Sequence, residues 1–152
     1  IAFFEGTLAR WTALVIFLPI IAGQGGNSGM QTLTVTIRSM ALGEITGKTG
    51  RHILAKELVM SLLNGLAIGL TVGAIGWLWK GSLLLGLVVA LAMFLNTLAA
   101  AAAGVLIPLA LRAAKVDPAL SSSIFLTTVT DVAGFFFFLG LAAFLIPLFG
   151  GI

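Results

Sequence analysis

Uncharged apolar runs long enough to cross a bilayer alternate with short charged segments along this chain. Leu58 to Trp79 holds 22 residues without a charge, Gly81 to Leu111 holds 31, and Pro118 to Ile152 holds 35 with Asp131 as the one interruption. A hydrocarbon core about 30 Å thick is crossed by about 20 helical residues rising roughly 1.5 Å each. The pattern therefore predicts membrane-spanning helices over about 54–79, 82–111 and 118–149.

The first 45 residues follow a different rhythm. Trp11 to Gly23 is apolar, Gln24-Gly25-Gly26-Asn27-Ser28-Gly29 is not, and apolar character resumes from Met30 to Leu42. One straight helix from Thr7 to Gly43 would be about 55 Å long, whereas two separate crossings would each be too short. A single crossing over about 7–43 is expected, kinked or broken near 23–29 by Pro19 and the glycines. Gly43 to Glu57 carries Glu44, Lys48, Arg51, His52, Lys56 and Glu57 and reads as a loop or interfacial turn. The expected fold is an all-α polytopic membrane bundle: one transmembrane domain over 1–152 with four helices.

Composition agrees with that pattern. The chain of 152 residues is 60% hydrophobic, with 8 Lys or Arg and 5 Asp or Glu, a 9% charged fraction. Soluble domains carry about 25% charged residues, so a bilayer is the expected solvent. The absence of cysteine removes disulfides, zinc-thiolate sites and thiol nucleophiles. His52 is the one histidine, and the +3 net charge is scattered between apolar runs, so no nucleic-acid partner is expected.

Four crossings place Arg38, Lys48, Arg51, Lys56, Arg112 and Lys115 on one side and Arg10 and Lys80 on the other. Positive residues in short loops stay in the cytoplasm, so both ends are expected outside, in a multi-pass protein of a cell membrane. A chain beginning at Ile1 without a signal peptide is expected to be a fragment with at least one more crossing upstream.

Asp131 is the leading candidate for chemistry. A carboxylate inside an apolar helix costs about 3 kcal/mol or more, and such residues usually face a bundle interior or a water-filled path. The competing reading is a neutral or paired aspartate that holds helices together through neighbouring threonines. Helical spacing places Ser123, Thr127, Asp131, Gly134 and Phe138 on one face, a stripe of hydroxyl, carboxylate and glycine suited to a hydrated cation. Phe135 to Phe138 reads as lipid contact and packing.

The segment Gly23 to Gln31 is the second feature. Glycines tolerate bends, and backbone unwound at membrane depth lines a cavity or is buried in protein, where its carbonyls can face a cation; a plain kink or a close helix crossing explains the glycines equally well. Gly65, Gly69 and Gly73, and Ala99 to Ala103 with Gly104, read as close-packing surfaces. Asn64 and Asn96 are expected to bond between helices, a pore-lining role being the alternative, and Asp117-Pro118 to start a helix. No Ser-His-carboxylate cluster, metal-binding pair or His-Glu motif is recognisable, so the chain is not expected to be an enzyme.

Two stretches carry a family likeness: Pro19-Ile20-Ile21-Ala22-Gly23-Gln24-Gly25-Gly26-Asn27-Ser28-Gly29-Met30-Gln31-Thr32 with Arg38 and Ala41-Leu42-Gly43-Glu44, and Thr127-Thr128-Val129-Thr130-Asp131-Val132-Ala133-Gly134-Phe135. Together with Arg51, Lys56-Glu57 and Asp117-Pro118-Ala119, the chain resembles the MgtE family of magnesium channels. The resemblance implies a homodimer of five-helix subunits, of which this chain holds the last four. It also implies cytoplasmic N-terminal and CBS regulatory domains, absent here, that close the pore when magnesium is high.

The resemblance further implies a pore on the dimer axis between the glycine-bearing helix and the last helix. There Asp131 binds hydrated Mg²⁺, both transported and held at the site, with Mn²⁺ as a second candidate ion. Backbone near Gly23, Gly26, Thr127 and Gly134 completes the surroundings. Gate candidates are Met30, Ser123 and Asn27; some family members have asparagine at the first two positions, so the cytoplasmic constriction is expected to be more hydrophobic here. The alternative reading is a proton- or ion-coupled secondary cation transporter with Asp131 as the coupling carboxylate.

Overall fold

A computed structural model of the chain describes residues 1–45 and 47–148. Among these residues a short 3-10 turn, Ala2–Phe4, leads into α1 (Glu5–Arg10), α2 (Ala13–Ala41), α3 (Gly47–Lys80), α4 (Leu83–Ala113) and α5 (Pro118–Leu148). Four helices are long and apolar enough to cross a membrane, over Ala13–Ala41, Ala55–Lys80, Leu83–Ala113 and Ser122–Leu148. The all-helical, four-span expectation therefore holds. The expected end of the last helix at 149 lies outside the described residues.

α4 is the hub. Half of its most apolar stretch is buried inside the chain, against 22% for α3, which packs on α4 and barely touches α2. Small residues bring α3 that close. A Cβ built on Gly69 would lie 2.8 Å from the Ala90 carbonyl oxygen, and one on Gly65 3.1 Å from Thr97 Cβ. On the other side of α4, a Cβ on Gly104 would meet the Gly29 carbonyl oxygen of α2 at 2.9 Å. In lipid there is little hydrophobic gain from helix association, so such close van der Waals packing holds the bundle together.

One large cluster joins Leu14, Phe17 and Ile21 of α2 to Leu85, Val89 and Met93 of α4 and Phe138 and Leu139 of α5. The Phe17 ring lies 6.4 Å, centroid to centroid and edge on, from both Trp79 and Phe138. A smaller cluster of Leu33, Ala103 and Leu126 lies toward the other end. Trp11, Trp77 and Trp79 all fall at one end of the bundle, where Lys80 Nζ sits 4.7 Å from the Trp79 ring centre. Arg38 and Arg112 close α2 and α4 at the opposite end.

Three boundaries differ from the pattern reading. First, of the kink or break expected at 23–29 the break is absent, since α2 runs there as α-helix. Gly25 and Gly29 serve packing: a Cβ on Gly29 would lie 2.9 Å from Leu126 Cδ1, and one on Gly25 would overlap the Asn96 amide. The interruption occurs instead at Trp11–Thr12, where Trp11 leaves helical backbone at φ −129° and ψ 67°, and Phe4 ahead of it packs against Phe136 of α5 at 6.4 Å. Second, α2 is therefore 29 residues, about 44 Å, long enough to cross a bilayer without unwinding. Third, α3 is helical from Gly47, so the hydrophilic stretch before Glu57 is largely the first turns of a helix and not a loop.

Helix ends follow local chemistry. Gly43 ends α2 at φ +71°, with Glu44 N–H reaching back to the Ser39 carbonyl at 2.9 Å. Asp117 caps α5, its Oδ1 accepting from Ala119 N–H at 2.9 Å, with Pro118 at the first helical position, as expected.

Candidate ion pathway

α5 buries one residue in four without exception: Ser122, Leu126, Thr130, Gly134, Phe138, Ala142 and Ile146. This is an i+4 ridge seated in the groove between α2 and α4. It meets α2 in antiparallel order. A Cβ on Gly134 would lie 3.5 Å from Ala22 Cα, one on Gly26 3.8 Å from Thr130 Oγ1, and Gly29 faces Leu126. This register puts Asp131 at the depth of Gly25 and Gly26.

The ridge divides the stripe expected from spacing. Thr127 and Asp131 are exposed on the bundle surface and Ser123 is half-buried, while Gly134 and Phe138 turn inward. A step of three from Asp131 to Gly134 returns to the buried row, which advances by fours. Gly134 therefore does not stand on the exposed face. It is a packing contact, where a Cβ would come 2.7 Å from Asn96 Nδ2. Of the four phenylalanines, Phe138 enters the core and Phe136 is exposed.

On α2, Gly23, Asn27 and Met30 are exposed and Gly26 is half-buried. Gly23 differs from its neighbours, because a Cβ there would touch nothing within 4 Å. Its smoothness serves no contact inside the chain. Unwound backbone presenting its carbonyls is one of two equal readings of these glycines; the continuous helix keeps the carbonyls in helical geometry. The Met30 carbonyl also accepts from Thr34 Oγ1 at 2.7 Å, and the Thr127 carbonyl from Thr130 Oγ1 at 3.1 Å.

The three gate candidates do not lie at one level. By the antiparallel register Ser123 stands near Thr32 and Leu33, some six residues or about 9 Å along the axis from Asn27, with Met30 between them. Asp131 is the one carboxylate at its depth, and no group of three or more His, Cys, Asp or Glu forms among the described residues.

The residue that spacing undervalued is Asn96. It is 1% exposed on α4, and its Nδ2 donates to the Ile21 carbonyl of α2 at 2.9 Å. Asn64 takes no such part: it lies exposed on α3. The two asparagines are alike in sequence context, and which one is interhelical depends on which face of its helix meets a neighbour.

Residues 18–141 match the family model MgtE, a divalent cation transporter. The chain belongs to this family. It is 34% identical over 142 residues to a magnesium transporter MgtE of Bacillus subtilis, covering 93% of this chain and 32% of that protein. A magnesium transporter MgtE of Thermus thermophilus is 36% identical over 144 residues, 94% of this chain and 32% of its own length. A third, from Enterococcus faecalis, is 29% identical over 140 residues, 92% of this chain and 31% of that protein. The chain therefore spans about a third of the length of these relatives. Its long apolar helices and its family together describe a multi-pass membrane protein.

Proposed function

We propose that the chain is the pore-forming part of a magnesium transport protein. Two copies pair across α2 and α5 to enclose a path for hydrated Mg²⁺, and Asp131 from each copy faces the ion. The observation that carries this reading is the exposure of Asp131 midway along an apolar span. Left against lipid, that carboxylate costs about 3 kcal/mol or more, so water or a second protein surface must cover it.

Gly23 at nearly the same depth supports the same reading, since its missing side chain relieves no contact within the chain. A close neighbour from outside, an ion with its water or a second copy, accounts for it. Mg²⁺ sheds water reluctantly and is commonly bound through one or two carboxylates with several waters retained. One carboxylate per copy fits that habit better than it fits a dry cage. In this reading Met30 narrows the path on the side of the basic ends, and the helix ends bearing Arg38 and Arg112 face the cytoplasm. Regulatory domains outside this segment set when the path opens.

The test is Mg²⁺ flux through the full chain in liposomes, comparing wild type with Asp131→Asn. At about 5 Å in a water-like dielectric, a divalent cation and one carboxylate attract by about 1.7 kcal/mol, so flux at low Mg²⁺ should fall by about tenfold or more. Unchanged flux sinks the proposal. Uptake driven by a pH gradient with no Mg²⁺ gradient would replace the channel with a coupled carrier.

A further inference from the structure

Asn96 is 1% exposed, and three helices close on its carboxamide. α4 carries it, α2 presents Gly25 and α5 presents Gly134, and a Cβ on either glycine would collide with the amide. Its Nδ2 donates to the Ile21 carbonyl at 2.9 Å, and Ile21 stands one turn before Gly25. The bond and the glycine contact therefore bracket a single turn of α2. Gly134 stands one turn beyond Asp131 on α5, and Gly26, which follows Gly25, faces Thr130.

Its Oδ1 is buried without a hydrogen-bond partner among the described residues. Such a group costs stability that an apolar side chain of the same size would not. A leucine would fill comparable space. It would lose the bond to Ile21 and present branched methyls to two glycine surfaces shaped around a flat amide. The unpaired oxygen thus weighs against a role in stability alone.

We infer that Asn96 is a positioning residue for the ion path. Its carboxamide sets the spacing of α2 and α5 at the depth of Asp131, and that spacing sets the affinity for Mg²⁺ and the rejection of a larger divalent ion such as Ca²⁺. This rests on the proposed function, since it acts through Asp131 and touches no ion itself. Two helices joined through one amide present each copy's share of the path wall at a defined separation; without it they settle at whatever separation packing allows.

The experiment measures Mg²⁺ flux against concentration, and Ca²⁺ competition, for the full chain in liposomes carrying wild type, Asn96→Leu, Asn96→Ala or Asp131→Asn. Folding is checked by monodispersity and thermal unfolding in detergent. The expected result for the Asn96 variants is a rise of about tenfold in the Mg²⁺ concentration at half-maximal flux, the scale seen when groups that orient a metal ligand are removed. Weaker rejection of Ca²⁺ should accompany it, with maximal flux within about twofold of wild type.

Should Asn96→Leu fail to fold, Asn96→Ala, which only removes atoms, carries the same expectation. Folded variants with wild-type half-saturation and Ca²⁺ rejection overturn the inference. So does a loss confined to maximal flux, which is what a merely structural residue would produce. If Asp131→Asn is defective while the Asn96 variants are normal, the inference falls and the proposed function stands. If Asp131→Asn is silent, both fall.

Discussion

Gly73 of α3 and Gly86 of α4 face each other reciprocally: a Cβ built on either would lie 2.6 Å from the carbonyl oxygen of the other. The obstacle on each side is backbone, which no rotamer change can move aside. α3 has little other attachment, being packed on α4 with only slight contact to α2. Its place in the bundle hangs on this row of glycines.

Gly73→Ala should therefore destabilise the fold by about 1–3 kcal/mol, the usual range for overpacking. Gly140→Ala on α5 is the matched control, since a Cβ there meets nothing within 4 Å, and alanine favours helix by about 1 kcal/mol over glycine. Unfolding of both variants in detergent checks the pair. Equal stabilities would mean that α3 can slide on α4 at no cost.

Gly134 and Gly23 should separate packing from permeation. Gly134→Ala would press on Asn96 Nδ2 at 2.7 Å and should lower stability by about 1–3 kcal/mol. Gly23→Ala has open space within the chain and should fold as well as wild type or better, yet reduce Mg²⁺ flux. Normal flux through a stable Gly23→Ala protein would remove α2 from the pore wall.

Met30, 37% exposed on the same helix, tests the narrow part of the path. Met30→Ala shortens a flexible apolar side chain without touching the buried ridge, so single-channel conductance should rise while thermal stability stays near wild type. Conductance identical to wild type would move the constriction elsewhere.

Lys115 occupies φ +60° just after α4, a region that costs a side-chain-bearing residue about 1–2 kcal/mol. Val116 N–H reaches back to the Leu111 carbonyl at 2.9 Å, the closing bond of a left-handed helix terminus usually made by glycine. Lys115→Gly should accordingly stabilise the protein by about 1 kcal/mol, read as a higher unfolding midpoint. No gain would mean that the lysine side chain returns as much as its backbone costs.

Asp117→Ala removes the bond to Ala119 N–H and should cost about 1 kcal/mol, the usual loss for a helix N-cap. Asp117→Asn, which keeps an acceptor oxygen, should recover most of it. Equal loss in both would assign the effect to charge rather than to capping.

Much of this is legible along the chain. Apolar run length locates the last three spans, and the Asp-Pro pair locates the start of α5, because both signals are local. Four-residue glycine spacing also identifies the surface α3 uses. The glycine-rich segment of α2 reads as a kink, a break or a close crossing, and it is unbroken helix with close contacts at Gly25 and Gly29, because glycine permits both unwinding and close approach and spacing alone does not choose between them. Its outcome depends on Asn96 and Leu126, side chains 71 and 97 residues away from Gly25 and Gly29 by the numbering, which occupy the space a Cβ would need.

The sequence by itself determined solvent and span: with 60% hydrophobic residues and charges kept between the runs, hydration energy leaves little choice but helices in a bilayer. It also determined that a carboxylate sits within the last span. Only the tertiary structure decided which face of each helix is covered. The i+4 ridge of α5 follows a crossing of three helices, so Gly134 turns inward while Asp131 is left outside, a difference of one helical step that no local pattern contains. Asn96 and Asn64 were divided the same way, because whether a polar side chain is a bond or a surface depends on the neighbour it meets.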